Sequence, residues 1–346
     1  MRRIILLIII IATLCIPVSA MEFSPPSAPD AAERYMPEST SSFAKDLWYI
    51  IKRAIAELNP HISDAAGVCV TIIVIVMLIS ILGNLSGKSA KTVSLAGVIA
   101  IGSALLAPSG SLIKLGVETV EALSEYGKLL LPVMTAALAA EGGAATSTAL
   151  YTGTVLFNSI LTVAITKLLI PMLYAFIALS IAKAALNEQV LQNLHGFLKW
   201  LITWILKISI YLFTGYLGIT GVISGSVDAA AVKAAKLAIS GSIPVVGNII
   251  SDASETILVS AGIMKNAAGT YGMLAILATW IGPFLQIGVQ YLTLKITAAV
   301  SGVFGCKQAV SLVESFSGAM GFLVAMTGTI CLLLLISTVC FMKGLG

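Results

Sequence analysis

Residues 239–269 read ISGSIPVVGNIISDASETILVSAGIMKNAAG, a polar, glycine-rich stretch set between long apolar runs. It carries Asp252, Glu255 and Lys265, a proline at Pro244, and glycines at Gly241, Gly247, Gly262 and Gly269. A lipid-facing helix avoids such residues, because glycine and proline weaken helices and each charge at mid-membrane depth costs about 2.5–3.5 kcal/mol on insertion scales. The stretch therefore predicts a broken or re-entrant element packed inside protein, where carboxylates and open backbone find partners or water. Asp252 and Glu255, three residues apart, share one helical face. There they can line a polar path or meet a basic partner, or else cap and pair locally near a helix start.

The surrounding composition fixes the class. Apolar residues make up 58% of the 346, charged residues 10%, and the mean hydropathy is +1.02, against roughly 25% charged in a soluble domain. The chain is expected to be an all-α polytopic membrane protein. Its 20 Lys and Arg against 16 Asp and Glu are scattered without a basic stripe, so nucleic-acid binding is not expected.

Upstream, Arg2 and Arg3 precede an apolar run that ends near Val18-Ser19-Ala20. This predicts a cleavable signal peptide over residues 1–20, with an uncleaved anchor as the alternative. Residues 21–64 read as exported: a proline-rich linker, then an amphipathic helix over 43–58 that lies on the membrane or on a partner. Leu47, Ile50, Ile51, Ala54, Ile55 and Leu58 form its apolar face, and Lys45, Asp46, Lys52, Arg53 and Glu57 its polar one.

The membrane domain occupies residues 65–346. About seven spans are expected, near 65–83, 92–107, 144–166, 168–185, 200–224, 271–294 and 319–341. Lys88, Lys91 and Lys343 are placed inside by the excess of positive charge on cytoplasmic loops. Residues 111–128 read as a second amphipathic surface helix, whose Glu118, Glu121 and Glu125 form a solvated acidic face. Lys207 follows Trp200 by two turns and either snorkels to the interface or lines a polar path. Gly215, Gly218, Gly221 and Gly225 predict close helix packing. A faint echo, in which Pro171 and Lys183 match Pro283 and Lys295, hints at an internal repeat flanking the opening stretch.

Enzymatic chemistry is not expected. His61 and His195 are far apart, no nucleophile–base motif can be assembled, and the cysteines have no metal spacing. The run from Gly83 to Ser89 imitates a phosphate loop with one residue too few between its glycines. No cofactor and no metal are expected.

The 239–269 stretch closely resembles the signature region of the stage III sporulation protein AE family, multi-pass membrane proteins of endospore formers. The likeness continues through 271–294, and the order of signal peptide, exported amphipathic segment and polytopic body agrees. The resemblance implies a permease-like or channel component of a secretion-type complex joining mother cell and forespore, seated in the mother-cell membrane around the forespore. Its implied partners are the other membrane proteins and the separate ATPase of one eight-gene operon, a forespore partner protein and the lipid bilayer; it leaves room for a homo-oligomer. A non-conducting scaffold is the rival reading, favoured by the amphipathic helices at 43–58 and 111–128.

Overall fold

The structure, a computed structural model, describes residues 25–38, 42–85, 89–242 and 247–343, excluding the side chains of 84, 90, 221–261 and 264. Every regular element among them is helical. These are α1 (Asp30–Glu33), α2 (Phe43–Ala56), α3 (Asn59–Leu85), α4 (Ala90–Ala140), α5 (Ala144–Val163), a π-helical turn (Ala164–Leu169), α6 (Ile170–Leu186), α7 (Gln189–Ser242), α8 (Gly247–Val303) and α9 (Lys307–Lys343). The signal peptide expected over residues 1–20 lies outside the described residues.

Six helical stretches among the described residues are long and apolar enough to cross a membrane: Asn59–Gly83, Lys91–Ala140, Ala144–Leu186, Gln189–Thr220, Lys265–Val303 and Lys307–Lys343. The polytopic all-α class is as the sequence predicts, while the expected count of seven differs at one place. The spans near 144–166 and 168–185 are one uninterrupted helix. The expected break fell at Lys167, with Pro171, which has no N–H to give, just inside the second span. Instead the π-helical turn just before this proline, which includes the exposed Lys167, widens the spiral and lets α6 start with Pro171 in its first turn.

Helix α4 is the second departure. It runs 51 residues, through Pro108 and Pro132, about 75 Å at 1.5 Å per residue against a hydrocarbon core of about 30 Å. Residues 111–128 are therefore not a separate surface helix. Their polar face is solvated as expected, with Glu118, Glu121 and Glu125 exposed and Glu118 paired to Lys114 at 3.7 Å. Their apolar face, with Ile113, Val120, Leu123 and Tyr126 buried, packs into the bundle. Nearer its start the outward side chains of α4 are Leu95, Ile99 and Leu106. Val70, Val74, Met77 and Leu78 of α3 and Leu292, Ile296 and Val300 of α8 are likewise exposed. Apolar exposure of that kind is what lipid tails require.

Helix α9 is the core. In its most apolar window 56% of residues are buried, against 22% in α3. It runs parallel to α4, since Ser94 meets Gln308 near their starts, Leu323 lies against Gly116, and Leu334 against Gly127. It runs antiparallel to α8, where Ser317 donates to the Tyr291 carbonyl at 3.1 Å and Trp280 Nε1 donates to Thr327 at 3.3 Å. One consequence corrects the expected topology. The start of α9 lies at the Lys91 end of the bundle, while Met342 packs against Gly269 at the other, so Lys343 and Lys91 sit at opposite ends. Merging two expected spans removed one crossing, and that reverses the terminus.

The amphipathic segment docks on the protein itself. Asp46, Ile50 and Ala54 of α2 are buried, and Tyr35, Ile50 and Ala54 join Leu274 and Ala278 of α8 in a small core of their own. The buried face thus falls on 46, 50 and 54, while Ile55, Trp48 and Tyr49 are exposed. Asp46, expected on the polar face, is inside. The clasp closes on Gly282, where a Cβ would meet the Tyr35 hydroxyl at 2.8 Å and its ring at 3.0 Å. Gly282→Leu is expected to release α1 and α2, seen as new cleavage between residues 33 and 58 in limited proteolysis of folded protein; an unchanged digest would show that the clasp does not depend on this contact. Burial, and then a hydrogen bond with Glu57, raise the Tyr35 pKa above its ordinary value of 10.0. A raised pKa contributes stability that is complete below about pH 10 and is lost as pH rises through the folded value. The clasp should therefore loosen only in strong alkali, and Tyr35→Phe should abolish that loosening.

Candidate functional site

Within residues 239–269 the chain is helical to Ser242 in α7 and from Gly247 in α8, and residues 243–246, Pro244 among them, lie outside the described residues. Asp252 and Glu255 lie on the first turns of α8, and Gly221 and Gly225 on α7; the side chains of Asp252 and Glu255 and the surroundings of all four residues are likewise outside them. Lys265 is the member of the expected set whose setting is fully described.

Lys265 is 2% exposed and its ammonium is paired with Glu141. The geometry that delivers Glu141 is local. Helix α4 ends on Glu141, Gly142 takes φ +104°, and Gly142 and Gly143 donate to the carbonyls of Ala139 and Leu138, each at 3.0 Å. This is a Schellman closure, which needs a glycine where the chain turns left-handed. It fixes the carboxylate at the mouth of the turn. Across from it, α8 approaches closely because a Cβ at Gly269 would strike Met342 and Met134, and one at Gly272 would strike Leu130. Gly262 admits the carboxylate itself, since a Cβ there would lie 2.9 Å from Glu141 Oε1.

Apart from this ion pair, buried polar side chains lie inside the bundle between α4, α5 and α9. Thr154 and Ser337 share a hydrogen bond of 3.0 Å. Asn158, 1% exposed, donates to the Ser124 carbonyl at 3.3 Å and to its hydroxyl at 3.2 Å. Asn158 Oδ1 and the Tyr126 hydroxyl have no hydrogen-bond partner among the described residues. Most other buried hydroxyls, such as those of Thr279, Thr329 and Thr338, bond the carbonyl one turn back and are satisfied. Sequence reasoning missed Glu141 as the partner, and missed Asn158, which sits unannounced in an apolar helix.

The remaining expected residues separate. Lys207 is exposed beside the half-exposed Trp204, the setting that snorkelling requires. A Cβ at Gly215 or Gly218 would meet nothing within 4 Å, so the close packing expected of them is not made among the described residues. The tight glycine of that interface is Gly153 on α5, where a Cβ would lie 1.9 Å from the Tyr216 ring. No cluster of three metal-ligating side chains occurs among the described residues.

The sequence model of the family described as stage III sporulation protein AE matches residues 33–344. Among curated proteins, the chain is 20% identical over 220 residues to "Stage III sporulation protein AE" of Bacillus subtilis (strain 168), covering 64% of this chain and 55% of that protein. The match thus spans about half the length of that relative. No solved structure matches.

Proposed function

The chain belongs to the stage III sporulation protein AE family, and from that premise we propose that it is the permease-like component of a secretion-type complex linking mother cell and forespore. It sits in the mother-cell membrane around the forespore, with a separate ATPase and the other membrane proteins of the complex as partners, and catalyses no covalent chemistry. The observation that supports this reading is the half-satisfied polar interior. A bundle that only holds other proteins together gains nothing from burying Asn158 and Tyr126 with open hydrogen-bonding capacity, which costs about 1–3 kcal/mol per group. A route for polar solutes or water does need such groups.

Substituted-cysteine labelling tests it. With native cysteines replaced, positions 124, 154, 158 and 337, together with 244–264, are probed in sporulating cells with and without the partner proteins. Labelling at 124, 158 and 337 that appears only in the assembled complex is the expected result. Complete protection in both conditions favours the scaffold reading, for which the docked α1–α2 arm with its exposed Trp48 and Tyr49 offers a surface. A companion variant, Asn158→Leu, keeps the branched side-chain skeleton, adds some bulk and removes the amide. It is expected to fold and to block forespore development; normal sporulation would make Asn158 structural only.

A further inference from the structure

At the end of the bundle remote from Glu141, two helix junctions and the facing helices α3 and α4 line an open polar cavity of about 740 Å³. Helices α3 and α4 contribute Ser80 and Ser94, the α6–α7 junction contributes Lys183, Asn187, Gln192 and His195, and the α8–α9 junction contributes Lys307, Gln308 and Ser311. Both junctions turn through left-handed residues at the cavity wall, Asn187 at φ +52° and Gly305 at φ +77°. These turns hold side chains from distant helices around one space.

Charge in this space has one sign. Lys183 and Lys307 line it, and among the described residues no carboxylate does. Glu314, the carboxylate in electrostatic range of Lys183, lies outside the lining, whereas Lys199 acts on both Lys183 and His195. The basic groups are held in place. Lys183 Nζ donates to Ser315 at 3.3 Å, and the His195 ring stacks on Phe176 at 4.2 Å while its Nε2 shares a 3.1 Å hydrogen bond with the buried Ser180. Burial pushes the Cys306 thiol up, so it stays neutral and adds no competing anion. Around the lysines stand three amides and three hydroxyls. The Ser80 and Ser94 hydroxyls donate to the Phe304 carbonyl and to Gln308 Oε1, and one N–H of Gln192 goes to Asn187 Oδ1. The remaining amide N–H groups and the Ser311 hydroxyl supply donors for several oxyanion oxygens. A bare carboxylate would leave most of them unused.

We propose that this vestibule binds a phosphate-bearing anion, gripped by Lys183 and Lys307 and ringed by Asn187, Gln192, Gln308 and Ser311. The site is independent of whether the bundle conducts. Its ligand is either a free phosphate compound or the headgroup of an anionic lipid at the membrane surface, and one experiment separates them. The purified full chain in detergent is titrated calorimetrically with inorganic pyrophosphate at low salt, and in parallel is placed in nanodiscs of phosphatidylglycerol or phosphatidylcholine, with retained lipid counted by native mass spectrometry.

Binding of pyrophosphate assigns a free anion. Selective retention of phosphatidylglycerol without pyrophosphate binding assigns a headgroup. In either case Lys183→Gln and Lys307→Gln should each weaken binding about 10- to 100-fold, the effect of losing a hydrogen bond to a charged group. Lys167→Gln, an exposed lysine outside the cavity, should leave it unchanged. If Lys183→Gln fails to fold, Lys307→Glu carries the test, because Lys307 is exposed and its reversal leaves the core untouched. Failure of both probes to exceed the phosphatidylcholine background, or equal binding by wild type and the lysine variants, overturns the proposal.

Discussion

Glu141→Ala is expected to destabilise the folded chain by about 3–5 kcal/mol, because it strands the Lys265 ammonium, whose side chain is 3% exposed, without its counter-charge. The reverse deletion should be milder. Glu141 keeps 26% of its side chain exposed, so in Lys265→Met the carboxylate turns to water while the methionine fills the buried slot. The pair therefore predicts an asymmetry that a surface ion pair, typically worth under about 1 kcal/mol, would not show. The double variant Glu141→Ala with Lys265→Met should recover much of the loss, since it leaves no orphaned charge. Denaturant unfolding in detergent, arranged as a double-mutant cycle, measures this directly. Additive losses in the cycle would mean that the two groups are near each other without being coupled.

How the sequence announced one half of this pair and hid the other is instructive. Lys265 stands out because charge is rare in an apolar run, and rarity is a local property of sequence. Its partner lies 124 residues earlier, in a Glu-Gly-Gly connector that reads as an ordinary turn. Nothing in the spacing joins them; only the antiparallel docking of α4 on α8 does. Asn158 was hidden for a related reason: one amide barely changes the hydropathy of a long apolar helix, although its burial beside Ser124 makes it the most constrained polar side chain there.

The class was legible because hydropathy sums over long windows, and so was the amphipathic character of residues 43–58 and 111–128. Where those helices would bury their apolar faces was not. Periodicity says that a face exists, and a membrane surface, a partner and the protein's own α8 or bundle interior satisfy it equally well. A helix end was expected at Pro108 and a break at Lys167, four residues before Pro171. In water a mid-helix proline leaves an exposed carbonyl that solvent readily takes up, which favours a break. Inside a bundle the helix has no better conformation to adopt, so it continues, with a π-helical turn easing the strain in the second case. Splitting 144–186 into two spans added a crossing, which is why the position of Lys343 relative to Lys91 was misjudged.

Gly153→Leu should be nearly as damaging as Glu141→Ala, with a loss at the upper end of the roughly 1–3 kcal/mol typical of overpacking. The small-residue rule of membrane helices was applied to the glycines of α7, yet Gly215 and Gly218 face open space. The contact exists with its parts exchanged: the small residue is on α5 and the large one, Tyr216, is on α7. Any Cβ at Gly153 overlaps the Tyr216 ring, and moving the ring also breaks the 2.8 Å hydrogen bond from its hydroxyl to the Ala149 carbonyl, one turn away on α5. Tyr216→Phe alone removes the hydrogen bond and should cost about 1 kcal/mol. Tyr216→Ala makes room for the leucine, so Gly153→Leu with Tyr216→Ala should be more stable than the sum of the single losses implies. Strict additivity in unfolding measurements would mean that α5 and α7 meet elsewhere. The expected compensation would place the α5–α7 contact at Gly153, leaving the outward α7 glycines free to meet lipid or another helix.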